Sequence, residues 1–135
     1  MQRNMTRRRF LCSTMATGCG LVIVPNSAPV RGTQANSKLN IAGIGVGGRG
    51  AADIRGVAHE NIVALCDVDH KRAAQTFEQF PQATPYKDFR RMLDDIGDKI
   101  DAVVIGTPDH THAVAGIMAM KMGKHCYCEK PLTHS

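Results

Sequence analysis

From residue 39 to the end of the chain, short apolar runs alternate with longer amphipathic stretches. Leu39-Asn40-Ile41-Ala42-Gly43-Ile44-Gly45 reads as a buried strand over about 39–45, and the stretch from about 49 to 58 as the helix that follows it. A second strand runs from Asn61 to Asp67. Lys71 to Phe80 has helical character, and Pro81 ends it. Pro85 and Tyr86 sit in a short extended piece, a candidate third strand. Asp88 is placed to cap a helix from Phe89 to Ile96, whose apolar face is Phe89, Met92, Leu93 and Ile96. Asp101-Ala102-Val103-Val104-Ile105-Gly106 is a β-branched strand of the fully buried kind. Thr111 is placed to cap a helix from His112 to Met122, Gly123 ends it, and His125 to Cys128 is the next strand.

Strands alternating with helices predict an α/β fold, a parallel sheet with helices on both faces. The expectation is a Rossmann-type doubly wound sheet, incomplete at about five of six strands, with the C-terminal substrate domain absent and the chain an N-terminal piece of a longer protein. Two regions follow: residues 1–35 as a leader and 36–135 as a truncated α/β domain. Inside the second there is no internal repeat and no low-complexity linker.

The first strand runs into glycines. Gly43, Gly45 and Gly48 fit G-x-G-x-x-G, and about twenty residues on, the second apolar run closes with Asp67. That context points to dinucleotide binding. Gly43 is expected to allow the tight turn, Gly45 to let the backbone approach a diphosphate, and Gly48 to let the helix pack on the sheet. The helix N-terminus offers free amides to phosphate, with Arg49 a further cofactor contact. Asp67 suits ribose hydroxyls and repels a 2′-phosphate, which favours NAD over NADP; Lys71 and Arg72 weaken that preference. Asp69 competes with Asp67, but Asp67 ends the apolar run.

Charge alters the picture little. Of the 17 Lys and Arg residues, five (Arg3, Arg7, Arg8, Arg9 and Arg31) lie in the first 35; the remaining 12 equal the 12 acids. The region after residue 35 is near neutral and the chain has no tryptophan, so a nucleic-acid partner has neither electrostatic support nor stacking platforms.

Thr6-Arg7-Arg8-Arg9-Phe10-Leu11 resembles a twin-arginine export signal, followed by a mildly apolar stretch from Leu11 to Val24 that is too short and polar to span a bilayer. Cleavage after Ala28 or Ala35 fits the small residues there; lipid attachment at Cys19 and an unprocessed tail are the alternatives. The twin-arginine route carries folded proteins, so a cofactor could be loaded before export to the periplasm. Five cysteines make no disulfide framework. Cys126 and Cys128 are two apart on a strand and face one side, and Cys66 belongs to a distant strand, so all three are expected to pack as small hydrophobes.

Two further loops close apolar strands: Gly106-Thr107-Pro108-Asp109-His110-Thr111-His112 and Cys128-Glu129-Lys130-Pro131-Leu132. In an open α/β sheet, ligands bind outside such strand ends. The two histidines could suggest a metal site, but they lack a third ligand and diverge once a helix begins, so capping and cofactor lining are preferred and no metal is expected.

With the glycine turn, the Thr107-Pro108-x-x-x-His112 loop and the Glu129-Lys130-Pro131 triplet resemble the family of glucose–fructose oxidoreductase, inositol dehydrogenase and the rhizopine-catabolism protein (Gfo/Idh/MocA), over residues 39–135. The resemblance implies an oxidoreductase moving hydride between NAD(P) and a sugar or polyol, a homo-oligomer when full length. Lys130 would be the catalytic lysine, close to substrate and nicotinamide, and Glu129 would position the nicotinamide ribose or Lys130. Pro131 would follow a bond often cis in the family, aiming the lysine inward. Thr107 and Pro108 would line the cofactor, and His112 would stand near diphosphate and nicotinamide. Asp109 departs from the family's usual asparagine. The family's remaining catalytic aspartate and histidine lie in a second domain, so these 135 residues alone are not expected to turn over. A glycoside hydrolase that uses NAD transiently, on the same fold with a similar Gly-Gly-Arg-Gly turn, is the second enzymatic reading. A non-catalytic nucleotide-binding protein is the third.

Overall fold

A computed structural model describes residues 38–132. The leader expected over 1–35, with Arg7–Arg8, its cleavage sites and Cys19, lies outside the described residues. Five strands alternate with four α-helices: β1 Asn40–Ile44, α1 Arg49–Gly56, β2 Asn61–Cys66, α2 Ala74–Gln79, β3 Thr84–Tyr86, α3 Phe89–Ile96, β4 Ala102–Ile105, α4 Asp109–Lys121 and β5 His125–Cys128. A 3₁₀ turn, Gly97–Lys99, leads from α3 toward β4. All strand pairs are parallel, in the order β3-β2-β1-β4-β5. This is the doubly wound, Rossmann-type sheet that the alternation predicts.

Side-chain alternation divides the core in two. Ile41 and Val104 face α1 and α2, where they meet Ile54, Phe77 and Phe80. Ala42, Ile44, Val103 and Ile105 face α3 and α4, where they meet Met92, Leu93, Ala115 and Ala119. In β2 the phase slips. Ile41 pairs with Ile62 but Ala42 with Ala64, so Val63 is passed over, and Ile62 and Leu65 share the α1/α2 core while Ala64 and Cys66 share the other. One extra residue reverses the faces of everything after it. Pro85, opposite Leu65, sits on the edge strand β3, where a missing N–H costs no ladder bond on the outer side.

Two helix starts differ from the sequence reading. The segment expected as a helix from Lys71 opens as a turn, with the Asp69 carboxylate accepting from the amides of Lys71 and Arg72 (3.1 Å each), and α2 proper begins at Ala74. The helix expected from His112 with a Thr111 cap begins instead at Asp109, after Pro108. Proline at the entry has no amide to satisfy, Asp109 suits the positive end of the helix, and the Thr111 hydroxyl, already inside the first turn, donates to the Pro108 carbonyl at 2.8 Å. Asp88 caps α3 as expected, accepting from the Arg90 amide at 2.9 Å.

Candidate functional site

The carboxyl ends of β1, β2 and β4 open onto a cleft of about 500 Å³, the size of a small-molecule site. It lies between β1 and β4, where successive connections leave in opposite directions along the sheet. Of the expected cofactor residues, Gly45, Arg49, Asp67, Thr107 and Pro108 line it.

The glycine turn is built differently from expectation. Gly43 makes no turn: it lies inside β1, paired with Leu65 on one side and Val104 on the other. Its missing Cβ serves packing, since one there would stand 2.7 Å from Ile54 Cδ1 of α1. The chain leaves the strand at Gly45, φ 76°, and turns again at Gly48, φ 60°, both in the region that L side chains avoid. Gly48 does not set helix packing either; the nearest atoms to a Cβ there belong to the Arg72 guanidinium. That task falls to Gly50, where a Cβ would overlap the Gly45 carbonyl oxygen and crowd Gly106. Gly106 is its counterpart, with a Cβ position 2.5 Å from Gly50 Cα. The working spacing is therefore Gly45-x-Gly47-x-x-Gly50, the same motif two residues on. The sequence contains both registers, and only the strand end decides between them.

This junction brings the N-terminus of α1 against the sheet. The helix has no side-chain cap and no acid in its first turn, so its leading amides are free for an anion. Two bonds steady the turn: Gly45 N–H donates to the Cys66 carbonyl at 2.7 Å, and the buried Thr76 hydroxyl donates to the Val46 carbonyl at 2.9 Å.

Asp67 follows β2. One carboxylate oxygen accepts from the Gly47 amide (2.8 Å), the other from the Asp69 amide (2.9 Å). Asp69 is occupied with its own turn, so Asp67 is the acid that faces the glycines. Arg72 also reaches them, its Cγ 3.1 Å from the Cβ position of Gly47. Arg72, one of the two cations that the sequence placed near the ribose, lines this end of the cleft, together with Lys87, Val68 and Phe89, to which the sequence gave no role. The signal available in the sequence was Val68, an apolar residue directly after the acid; it is 87% exposed.

The second cluster gathers at the end of β5. His112 does not line the cleft; it is 2% exposed, with Nε2 2.7 Å from the Thr107 carbonyl and Nδ1 2.7 Å from the Pro131 carbonyl. It stands behind the loops that follow β4 and β5, and a neutral ring donates its one N–H to one of the two carbonyls. Four residues past the loop's Pro108, on the inward face of α4, it could not reach both the carbonyls and the cleft. The Lys130–Pro131 bond is cis, and Lys130 is exposed. Glu129 points back to α1: its Oε1 accepts from Arg49 Nε and Nη2 and from the Tyr127 hydroxyl, all at 3.3 Å. Burial raises the Glu129 pKa, but the Arg49 charge and the bonds from Arg49, Tyr127 and the Lys130 amide outweigh it, leaving it below the usual value. Asp53, one turn along α1, shifts the other way through burial and then the negative charge of Glu129.

Among the described cysteines, Cys66 lies two strands away from β4 and three from β5, and none is bonded. Burial, then the charges of Asp67 and Asp88, push the Cys66 thiol up to about 12.

A parallel sheet with a glycine turn, free helix amides and an acid after the second strand defines a dinucleotide-binding domain. The chain belongs to the GFO_IDH_MocA family, the oxidoreductase family with an NAD-binding Rossmann fold, which matches residues 39–135. Inositol 2-dehydrogenase 1 of Saccharopolyspora erythraea is 34% identical over 99 residues, covering 70% of this chain and 29% of that protein. Among solved structures, myo-inositol 2-dehydrogenase from Lactobacillus plantarum superposes with a TM-score of 0.66 at 29% identity, covering 73% of this chain and 30% of that one. An oxidoreductase from Agrobacterium radiobacter in complex with NAD+, L-tartaric acid and magnesium also gives 0.66, at 28% identity, with 73% and 29% covered. The chain thus spans under a third of the length of these relatives.

The residues present fit NAD. The turn has no Cβ at Gly45, Gly47 or Gly48, α1 offers uncapped amides, and the Asp67 carboxylate accepts a hydrogen bond from the Gly47 amide.

Proposed function

We propose that this chain is the nucleotide-binding part of an NAD-dependent oxidoreductase that moves hydride to or from a sugar- or polyol-type substrate. The observation that carries the reading is the join of Asp67 to the Gly47 amide, which puts the ribose-selecting acid and the diphosphate-cradling turn in one unit. When bound, the nicotinamide accepts or gives the hydride. The chain's own residues do the rest. The amides at the start of α1 take the diphosphate, and Asp67 accepts from the adenosine ribose and disfavours a 2′-phosphate. Thr107 and Pro108 wall the cofactor. Lys130 donates to the substrate oxygen and stabilises charge developing on it. The inositol dehydrogenases among the relatives support the substrate class. Export through Arg7–Arg8 to the periplasm and self-association of the full-length protein complete the proposal.

Titrating the full chain with NADH and NADPH, followed by nicotinamide fluorescence, tests it. The expected result is preference for NADH. Asp67→Ala should weaken NADH by about tenfold, roughly 1.4 kcal/mol, and NADPH much less. Absence of binding to either nucleotide overturns the reading.

A further inference from the structure

Behind the proposed nicotinamide end of the cleft, two carboxyl groups converge on one guanidinium. Arg49 Nε is 3.3 Å from Glu129 Oε1 and 3.7 Å from Asp53 Oδ1. Both acids are sheltered, their side chains 14% and 8% exposed, and both approach the same guanidinium. Arg49 itself is 73% exposed, so a single, largely solvated cation faces two sheltered acids. Asp53 Oδ2 is sealed from solvent and receives no hydrogen bond. A buried carboxylate oxygen left without a donor is costly; a carboxyl that keeps its proton and donates it is not. Two carboxyl groups in contact share one proton for the same reason.

We propose that Asp53 is a positioning residue: sheltered on α1 beside the Arg49 guanidinium, its carboxyl donates a hydrogen bond to the Glu129 carboxylate and so clamps the Glu129-Lys130-Pro131 loop to the helix that faces the diphosphate. The inference rests on the cofactor reading above for its functional consequence. The clamp has three parts. Arg49 and Asp53 hold Glu129 from α1, Tyr127 holds it from β5, and the Lys130 amide bonds to the same carboxylate. His112 packs against the far side of the loop, its Nδ1 2.7 Å from the Pro131 carbonyl. With Glu129 fixed, the backbone from which Lys130 projects is fixed with it.

The charged and titratable groups facing Asp53 are Arg49 on its own helix and Glu129 from β5, with Tyr127 and Lys130 next to Glu129. The signs follow. Asp53 holds its proton in the folded state to a higher pH than the ordinary 3.8, so its contribution is complete at low pH and fades as pH rises through the raised value. Glu129 is lowered from 4.5, so its contribution is present above that value and fades as pH falls through the lowered one. The clamp is strongest between the two.

The test uses the full chain, labelled with ¹³C and ¹⁵N and titrated from about pH 3 to about pH 8. The Asp53 carboxyl carbon should titrate above an ordinary aspartate, and the Lys130 amide shift should follow the same midpoint. In Asp53→Asn, which keeps a donor and cannot ionise, the Lys130 amide should show no such step. NADH affinity should weaken several-fold as pH rises through the Asp53 midpoint in the wild type. It should stay flat within about twofold in Asp53→Asn and be weak throughout in Asp53→Ala. An ordinary Asp53 titration, or a wild-type step at Lys130 in Asp53→Asn, overturns the proposal. If NADH binds to no form at any pH, the cofactor reading falls, while the carboxyl and amide titrations still decide whether Asp53 holds the loop.

Discussion

Gly50 carries more of the site than its place inside a helix suggests. Alanine is the better helix former, yet a methyl at Gly50 would collide with the Gly45 carbonyl, which is backbone and cannot rotate away. Gly50→Ala is expected to push α1 off the sheet, costing upward of about 3 kcal/mol and abolishing NADH binding. Gly56, at the end of the same helix, has nothing within 4 Å of its Cβ position. Gly56→Ala should stabilise by about 0.4–1 kcal/mol and leave binding unchanged. Urea unfolding of both variants checks the pair; equal effects would contradict the collision. That a glycine turn would follow the first strand was readable from the chain alone, and Asp67 was separable from Asp69 by the end of an apolar run. The register was not, because three glycines at 43, 45 and 48 and three at 45, 47 and 50 satisfy the same pattern. The close approach of Gly50 to Gly106 joins residues far apart in sequence.

At the level of elements, helices and strands follow local signals where a cap and a periodicity agree. Asp88 before an apolar face gave α3 its start, and the β-branched run gave β4 its length. The starts of α2 and α4 escaped because a side chain or a proline re-routes the first turn: Asp69 closes its own turn, and Pro108 admits the helix three residues early. That early start determines where His112 faces. Inside the first turn it points to the sheet, between the loops after β4 and β5, rather than into the cleft. Each ring nitrogen stands 2.7 Å from a carbonyl, and a neutral imidazole, with one N–H, donates to one of them and packs against the other, so His112→Leu would fill the space and remove that donor. The expected cost is about 2 kcal/mol, with NADH affinity reduced several-fold as the Thr107 and Pro131 segments separate. Thermal unfolding with and without NADH measures both; a variant with wild-type stability would show that the bridge holds nothing.

Across the whole molecule, one sheet holds two cores, and the cleft sits over its centre rather than its rim. Cys66 reports on that centre. It is 3% exposed, its β2 segment pairs with Ile44 on one side and Tyr86 on the other, and its thiol, pushed up to about 12, stays protonated at neutral pH. Alkylation needs a thiolate and access, so Cys66 reacts only when β2 opens, whereas Cys126 and Cys128 lie half-buried on the edge strand β5. A nucleotide bound to the folded form alone makes opening harder by RT ln(1 + [L]/Kd), about 2.7 kcal/mol when the ligand is at about a hundred times Kd. Iodoacetamide labelling of Cys66, followed by peptide mass spectrometry at pH 8 to keep the other cysteines separate, should therefore slow by roughly a hundredfold in saturating NADH. The two β5 cysteines should slow less, because their exposure comes partly from local fraying that leaves the cleft intact. Equal protection of all three would mean that β5 opens only with the rest of the sheet. Protection of none would separate the cleft from the nucleotide altogether.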